Sequence, residues 1–376
     1  MAYKQFKHKL SEVYWCKNCL NMSTRPRIKF DKKGYCNACI WMEEKKKVNW
    51  KKKQKDFRKL LNKFKSKDGY DCIVPVSGGK DGSYICHTLK TKYGVNPLAV
   101  TVRAPIELGL GIENLHNFVN KGYNHIHITP DRNVMQQLDK LGFINQGFAY
   151  FGWYVAIFTA ITNLACRMGV KLIIYAEDGE IEYGGKRYLD KKMLFDVEHQ
   201  TKIFFEGGYY DYIKKVKASP SEMFFYKYPP QKMLKNIKYV FFSHFHPWDS
   251  YKNYLVAKKY CGLKELDHTS QGTFTNFAQN DQSLYLLHCY LMYLKFGFGR
   301  ATQDAGIEIR RGAISREQAI NLVNLYDGQF PEEYIKDYLR YYNISKKKFY
   351  QTLNKFCNRN LFDFQNNKFI PKFKIK

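Results

Sequence analysis

Asp71-Cys-Ile-Val-Pro-Val-Ser-Gly-Gly-Lys-Asp-Gly82, continued by the helical-looking Ser83-Tyr-Ile-Cys-His-Thr-Leu-Lys-Thr-Lys-Tyr93, decides the fold. A short apolar run, a glycine-rich turn and a helical stretch in that order describe a strand feeding a helix through a loop. The glycines let backbone N–H groups turn toward an anion, and the N-terminus of the following helix adds positive potential at the same place. Further along, Pro97-Leu-Ala-Val-Thr-Val102 reads as a second strand, Glu113 to Gly122 as a helix, and His125-Ile-His-Ile128 as a third strand. Asn133 to Leu141 suits another helix, and Val170-Lys-Leu-Ile-Ile-Tyr-Ala176 a fourth strand. Strands alternating with helices predict an α/β domain with a mainly parallel sheet flanked by helices, over residues 70–182.

The flanks differ in composition. Residues 1–70 hold 21 Lys/Arg against 6 Asp/Glu. Within them a two-knuckle cysteine module (1–45) precedes a basic helical connector (46–69), on which Leu60, Leu61 and Phe64 share one side. Residues 183–250 are Tyr- and Lys-rich and read as an insertion or cap, and 251–376 as a mostly helical C-terminal substrate region. The whole chain, 376 residues with a formal charge of +28, favours anionic partners, although a lysine-rich genome bias accounts for the same surplus. An aromatic content of 17% and a hydrophobic content of 45% exclude disorder as the main state. The ten cysteines come without an apolar leader in MAYKQFKHKLSEVYW, which favours a reducing, cytoplasmic protein over a disulfide-bonded secreted one. Leu141 to Cys166 is uncharged and long enough to raise a membrane span, but its Asn, Thr and Gly residues fit a buried helix better.

Four groups of residues carry chemistry. Cys16-x2-Cys19 and Cys36-x2-Cys39 have the spacing of a structural four-thiolate zinc site, the alternative being two redox or idle pairs. A closed site of that kind serves folding or docking. Ser77-Gly78-Gly79-Lys80-Asp81-Gly82-Ser83 is not a Walker A loop, whose spacing is missing. It resembles the PP-loop of ATP pyrophosphatases, SGGxD[ST], with Gly82 standing where that motif has Ser or Thr. Tyr175-Ala-Glu-Asp-Gly-Glu-Ile-Glu182 ends the fourth strand, where ligands of parallel sheets collect. Glu177 and Asp178 are its inward candidates for holding Mg²⁺, unless the stretch is a solvated acidic turn. Gly297, Gly299 and Arg300 open a helix carrying Asp304 and Glu308. Arg300 suits capture of a phosphate or carboxylate, and Arg310 either does the same or pairs with Glu308. His244 and His246 lie near Asp249 but lack a further spaced ligand, and read as substrate contact or packing.

Taken in order, these pieces resemble the N-acetyl sugar amidotransferase family of bacterial surface-polysaccharide and flagellin-glycan synthesis, over nearly the whole chain. The strings that carry the likeness are Cys36-Asn-Ala-Cys39, Ser77 to Gly82, Tyr183-Gly-Gly185 and Gly297-Phe-Gly-Arg300-Ala-Thr-Gln-Asp304-Ala-Gly-Ile-Glu308-Ile-Arg-Arg-Gly312. The last is the most specific, because simple PP-loop proteins lack it. The resemblance implies a PP-loop (adenine nucleotide alpha hydrolase-like) fold. It also implies an ATP-dependent C–N ligase of pseudaminic-acid, legionaminic-acid or lipopolysaccharide synthesis, acting on a free or UDP-linked N-acetyl sugar. ATP would adenylate the oxygen of an acetamido group and release pyrophosphate, and ammonia would displace AMP to leave an acetamidino group. Ser77 to Ser83 and Val102 would then bind the nucleotide. Lys80, Asp81, Glu177, Asp178 and Arg300 would act on the reacting groups, and Arg300, Asp304 and Arg310 would meet an anionic sugar. Asp81 is either a metal ligand or a loop-orienting carboxylate. No glutaminase nucleophile is evident, so a separate glutaminase subunit would supply ammonia. Nucleic acid is not expected as a partner, unless the chain belongs to the rival class, PP-loop enzymes that thiolate tRNA, in which the cysteine pairs would be catalytic.

Overall fold

Cys72 and Val74 point to one side of the first strand and Ile73 to the other, and this alternation organises the molecule. The computed structural model describes residues 8–186, 194–366 and 368–375. Its sheet has six strands: β1 (Cys72–Pro75), β2 (Pro97–Val102), β3 (His125–Ile128), β4 (Leu172–Tyr175), β5 (Leu194–Phe195) and β6 (Lys238–Phe241). Their order is β3-β2-β1-β4-β6-β5, all neighbours parallel except β5, which closes the edge antiparallel to β6. The order runs one way from β1 through β2 to β3 and the other way through β4 to β6. The crevice between the carboxyl ends of β1 and β4 is therefore the topological switch point, where ligands of such sheets bind.

The helices before β5 are α1 (Asn37–Lys47), α2 (Trp50–Lys63), α3 (Lys80–Tyr93), α4 (Gly109–Asn120), α5 (Arg132–Gln146), α6 (Phe151–Met168) and α7 (Gly179–Tyr183); α2 to α6 cover the two faces of the sheet, α1 packs in the cysteine module and against α7, and further helices follow β5 and β6. One layer packs Phe57 and Leu61 of α2, Ile85 and Leu89 of α3, and Leu115 and Phe118 of α4 against Val74 and Ile174. The other packs α5 and α6 against Ile73, Val100 and Ile173, and runs on into the C-terminal helices through Leu284, Leu287, Tyr338 and Phe349. Each such side chain contributes about 1.5–3 kcal/mol by leaving water. The basic connector is thus also a core helix, with its lysines on the outer face.

The uncharged stretch splits at Gly147, which takes a left-handed φ of 60° to end α5. Its second half becomes α6, packed on β1, β2 and β4. Asp139 of α5 caps α6 from outside, accepting the Gly152 and Trp153 N–H groups at 2.6 and 3.2 Å. Among the described residues no helix is long and apolar enough to cross a membrane.

Two expectations need correcting. The helix after the glycine turn starts at Lys80, not Ser83, so Lys80 and Asp81 occupy its first turn. Residues 183–250 do not form a cap throughout: Lys238–Phe241 is a sheet strand paired with β4, and Leu194–Phe195 adds the edge strand beside it. The mostly helical C-terminal region also contains an antiparallel hairpin, Phe362–Gln365 with Lys368–Pro371.

Candidate active site and metal centre

At the carboxyl end of β1, Gly78 takes a φ of 80°, and a Cβ there would lie 2.4 Å from the Leu115 backbone nitrogen of α4. Gly78 therefore serves close packing and is turned away from any ligand. Gly82 is similar: a Cβ would stand 2.9 Å from the Pro75 carbonyl, so α3 sits too close to β1 for the Ser or Thr usual at that position. Gly79, the N-cap of α3, has an ordinary φ of −73°, and its Cβ position meets only the Ser77 hydroxyl at 3.3 Å. Ser83 is fully buried with an unpartnered hydroxyl, and lies inside the helix layer, not in the turn.

Two cavities open here. One of about 270 Å³ is lined by Ser77, Gly79, Lys80, Asp81, Gly82 and Asn114, and is roofed by Phe277 to Asp281. The second, about 600 Å³, shares Ser77, Gly111 and Asp281 with the first, and runs over Thr101 and Val102 toward His116, His125, His127 and Trp153. These volumes suit a small ligand. Val102 helps wall the larger cavity, while its carbonyl accepts the Trp153 indole N–H at 3.0 Å. Burial and the neighbouring His127 lower His125 to about 4, so it is a neutral ring, hydrogen-bonded to Thr101. The alternation of His125 and His127 along an otherwise apolar strand was the signal for this wall. The roof had no local signal, since it arrives from the C-terminal region. Its approach requires Gly111, where a Cβ would lie 2.5 Å from the Asn280 carbonyl.

The acidic turn after β4 faces this loop. Burial, reinforced by the Asp81 charge, raises the Glu177 carboxyl to about 7, with Lys80 acting the other way. Asp81 pairs with Lys80 and accepts from Asn253 at 3.2 Å. Burial also raises Asp178 to about 7, but its carboxylate caps α7, accepting the Glu180 N–H at 3.0 Å. Glu177 is the member of the pair beside Asp81.

A carboxyl held near 7 keeps its proton over a pH range in which the unfolded chain has already lost it. Its stabilising contribution is complete below the ordinary glutamate value and disappears as pH rises through about 7. Without divalent cations, wild type should lose thermal stability relative to Glu177→Gln between about pH 5 and about pH 8, whereas a constant gap in melting temperature would mean that Glu177 ionises normally.

The expected substrate trio does not converge on the loop. Arg300 and Asp304 form a buried ion pair at 2.8 Å, joined by Tyr285 on the arginine and Thr273 on the carboxylate. Arg300 bears on the site through Tyr183, whose hydroxyl donates to Glu177 at 3.3 Å. Arg310 turns the other way, donates to the Glu182 carbonyl at 3.2 Å, and is drawn by the Cys19, Cys39 and Cys36 sulfurs. Glu308 pairs with Arg311, not Arg310. His246 shares a hydrogen bond with Tyr93 at 2.7 Å and stacks on Phe242, His244 meets the Lys53 ammonium at 2.8 Å, and Asp249 caps the helix Ser250–Cys261, so each of the three has a separate partner.

Cys16, Cys19, Cys36 and Cys39 are buried, with all four sulfurs within 4.8 Å of one another. Cys16–Cys39 and Cys19–Cys36 lie 3.7 and 3.6 Å apart. One ion bonded to four thiolates at about 2.3 Å sets its sulfurs roughly 3.8 Å apart. The quartet can therefore hold a metal. Hydrogen bonding among the sulfurs, led by Cys19, lowers Cys16 to about 6, and that led by Cys16 pushes Cys36 far down while it raises Cys19 and Cys39, so the four share their protons unequally. Arg310 adds a buried positive charge beside them.

A parallel sheet whose first strand feeds a glycine turn and helix at its switch point, facing an acidic turn, defines a PP-loop type α/β fold with a four-cysteine metal site. Residues 271–375 match the family described as LPS biosynthesis protein WbpG-like, C-terminal domain. Over 110 residues the chain is 36% identical to an uncharacterised protein of Methanocaldococcus jannaschii, which covers 29% of this chain and 39% of that protein. The match thus spans well under half of that relative. Among solved structures, the U34-tRNA thiolase NcsA from Methanococcus maripaludis, determined with its 4Fe–4S cluster, is similar at 14% identity and a TM-score of 0.32. It covers 80% of this chain and 86% of that one. At that distance nothing about its reaction or cluster transfers to this chain.

Proposed function

We propose that this chain is an ATP-dependent amidotransferase of surface-polysaccharide synthesis, working in the cytoplasm, that converts the acetamido group of an N-acetyl sugar to an acetamidino group. The observation that carries the reading is the composition of the 270 Å³ cavity: its floor is the PP-loop and its roof, Phe277 to Asp281, belongs to the segment matching the WbpG-like domain. A sugar held under that roof lies beside the loop that takes the phosphates. The acetamido oxygen attacks the α-phosphorus of ATP and pyrophosphate leaves. Ammonia then adds to the imidate carbon, AMP departs, and a proton is released.

The backbone N–H groups at Gly79 and Lys80 and the Lys80 ammonium meet the phosphate charge. Asp81 and Glu177 are suited to share Mg²⁺ with the phosphates, which supplies further charge neutralisation; such ions take one or two carboxylates and leave the remaining positions to substrate and water. Zinc is the metal proposed for the cysteines. Two sulfur pairs at 3.6–3.7 Å, with all four sulfurs within 4.8 Å of one another, suit one ion, whereas a cubane bonds each thiolate to a different iron and spreads them wider.

A separate glutaminase is proposed as the nitrogen source. Purified chain should amidinate an N-acetyl sugar with ATP and ammonium but not with glutamine, and adding the cognate glutaminase should restore glutamine use. Turnover on glutamine by the chain alone would end the separate-partner idea. Sulfur transfer to tRNA in place of sugar amidination would put the thiolase reading in its place.

A further inference from the structure

Tyr183-Gly184-Gly185 is used neither by the nucleotide reading nor by the metal quartet, yet it sits between them. α7 follows Glu177 and Asp178 directly, and its outer side is gripped by the cysteine module. Arg27, at a left-handed φ of 64° that non-glycine residues rarely adopt, makes a two-pronged pair with Glu180 at 2.8 and 2.5 Å. Trp41 and Lys45 both donate to Glu182, at 2.9 and 2.8 Å.

Two amides tie the end of α7 to the metal knuckles. Asn21 donates to the Tyr183 carbonyl at 3.2 Å and to the Cys36 sulfur at 3.4 Å, and Asn37, next to Cys36, donates to the Gly185 carbonyl. Gly184 permits the approach, since a Cβ there would lie 3.0 Å from the Asn21 amide nitrogen. On the inner side, the Tyr183 hydroxyl donates to Glu177.

We propose that Arg27, Asn21, Asn37 and Tyr183 are positioning residues for Glu177: the cysteine module holds α7, α7 holds the acidic edge of the site, and metal occupancy sets how well the site accepts a magnesium nucleotide. This rests on the nucleotide reading above for its consequence, but not for the mechanical link. Asn21 and Asn37 flank metal-ligating sulfurs, so a module that loses its ion loses the placement of both amides.

The test is amide hydrogen exchange on the full chain, metal-loaded and after chelation, and on metal-loaded Asn37→Ala and Arg27→Ala, with metal content and Mg–ATP affinity measured on each. Exchange across residues 177–185 should accelerate about tenfold, the equivalent of one or two lost hydrogen bonds, on chelation and in both variants, while β1 and β2 keep their protection. Both variants should retain the ion and bind Mg–ATP more weakly. Unchanged exchange at 177–185 in the metal-loaded variants overturns the proposal, as does an equal acceleration across the sheet. If wild type binds no Mg–ATP, the nucleotide reading fails, and the exchange data alone decide the mechanical link.

Discussion

Gly79→Val and Asp81→Ala should each abolish ATP-dependent pyrophosphate release, by about a thousandfold or more, while the protein stays folded. The expectation rests on the different duties of the three glycines in one loop. A Cβ at Gly79 meets only the Ser77 hydroxyl, so valine is accommodated by the backbone and its methyl groups enter the phosphate cradle. Gly78 and Gly82 are packed against α4 and β1, so Gly78→Val or Gly82→Val should instead lower the melting temperature sharply. Asp81 lies half-buried in the first turn of α3, where its loss removes the pair with Lys80, the hydrogen bond from Asn253 and the charge that helps to raise Glu177, and leaves the core contacts of α3 in place. Pyrophosphate release that survives both Gly79→Val and Asp81→Ala would remove the PP-loop assignment. Loss of folding in Gly79→Val would show that this glycine, too, is a packing residue.

Cys16→Ser should cost the protein its metal and much of its stability. Purified chain is expected to carry about one zinc, and structural zinc in small domains supplies roughly 10–16 kcal/mol of apparent binding energy at neutral pH. The loss would not stay local. Leu20, inside the module, packs with Ala301, Ala305 and Val323 of the C-terminal helices, and Arg310 is buried against the sulfurs. Metal analysis and thermal melts of wild type and Cys16→Ser provide the check. Iron with a visible charge-transfer band in place of zinc would overturn the single-ion reading, and an unchanged melt after metal loss would show the module to be dispensable.

What could be read from the chain alone follows the range of the forces involved. The Ser77–Ser83 turn, the strand before it and the helix after it depend on propensities acting over a few residues, and they form where expected, shifted only at the helix start. The cysteine quartet was legible for a related reason: two CxxC knuckles each fix a sulfur pair locally, and the pairs need only meet. Histidines at alternate positions of β3 were visible too, but nothing local said that their side of the sheet opens into a cavity.

Other decisions belonged to burial summed over the whole chain. That β4 and not β3 lies beside β1, which creates the crevice, comes from packing helices on both faces of the sheet. Phe277 to Asp281 roof the loop because the C-terminal helices share a core with α5 and α6, and Gly111 leaves room for their approach. Arg310 points at the cysteines and not at the glycine loop because α7 and the cysteine module occupy that face of its helix. Spacing along the chain fixes which groups can act together within one turn or knuckle. Which turn faces which is set by side-chain packing between segments a hundred or more residues apart, and no local pattern encodes it.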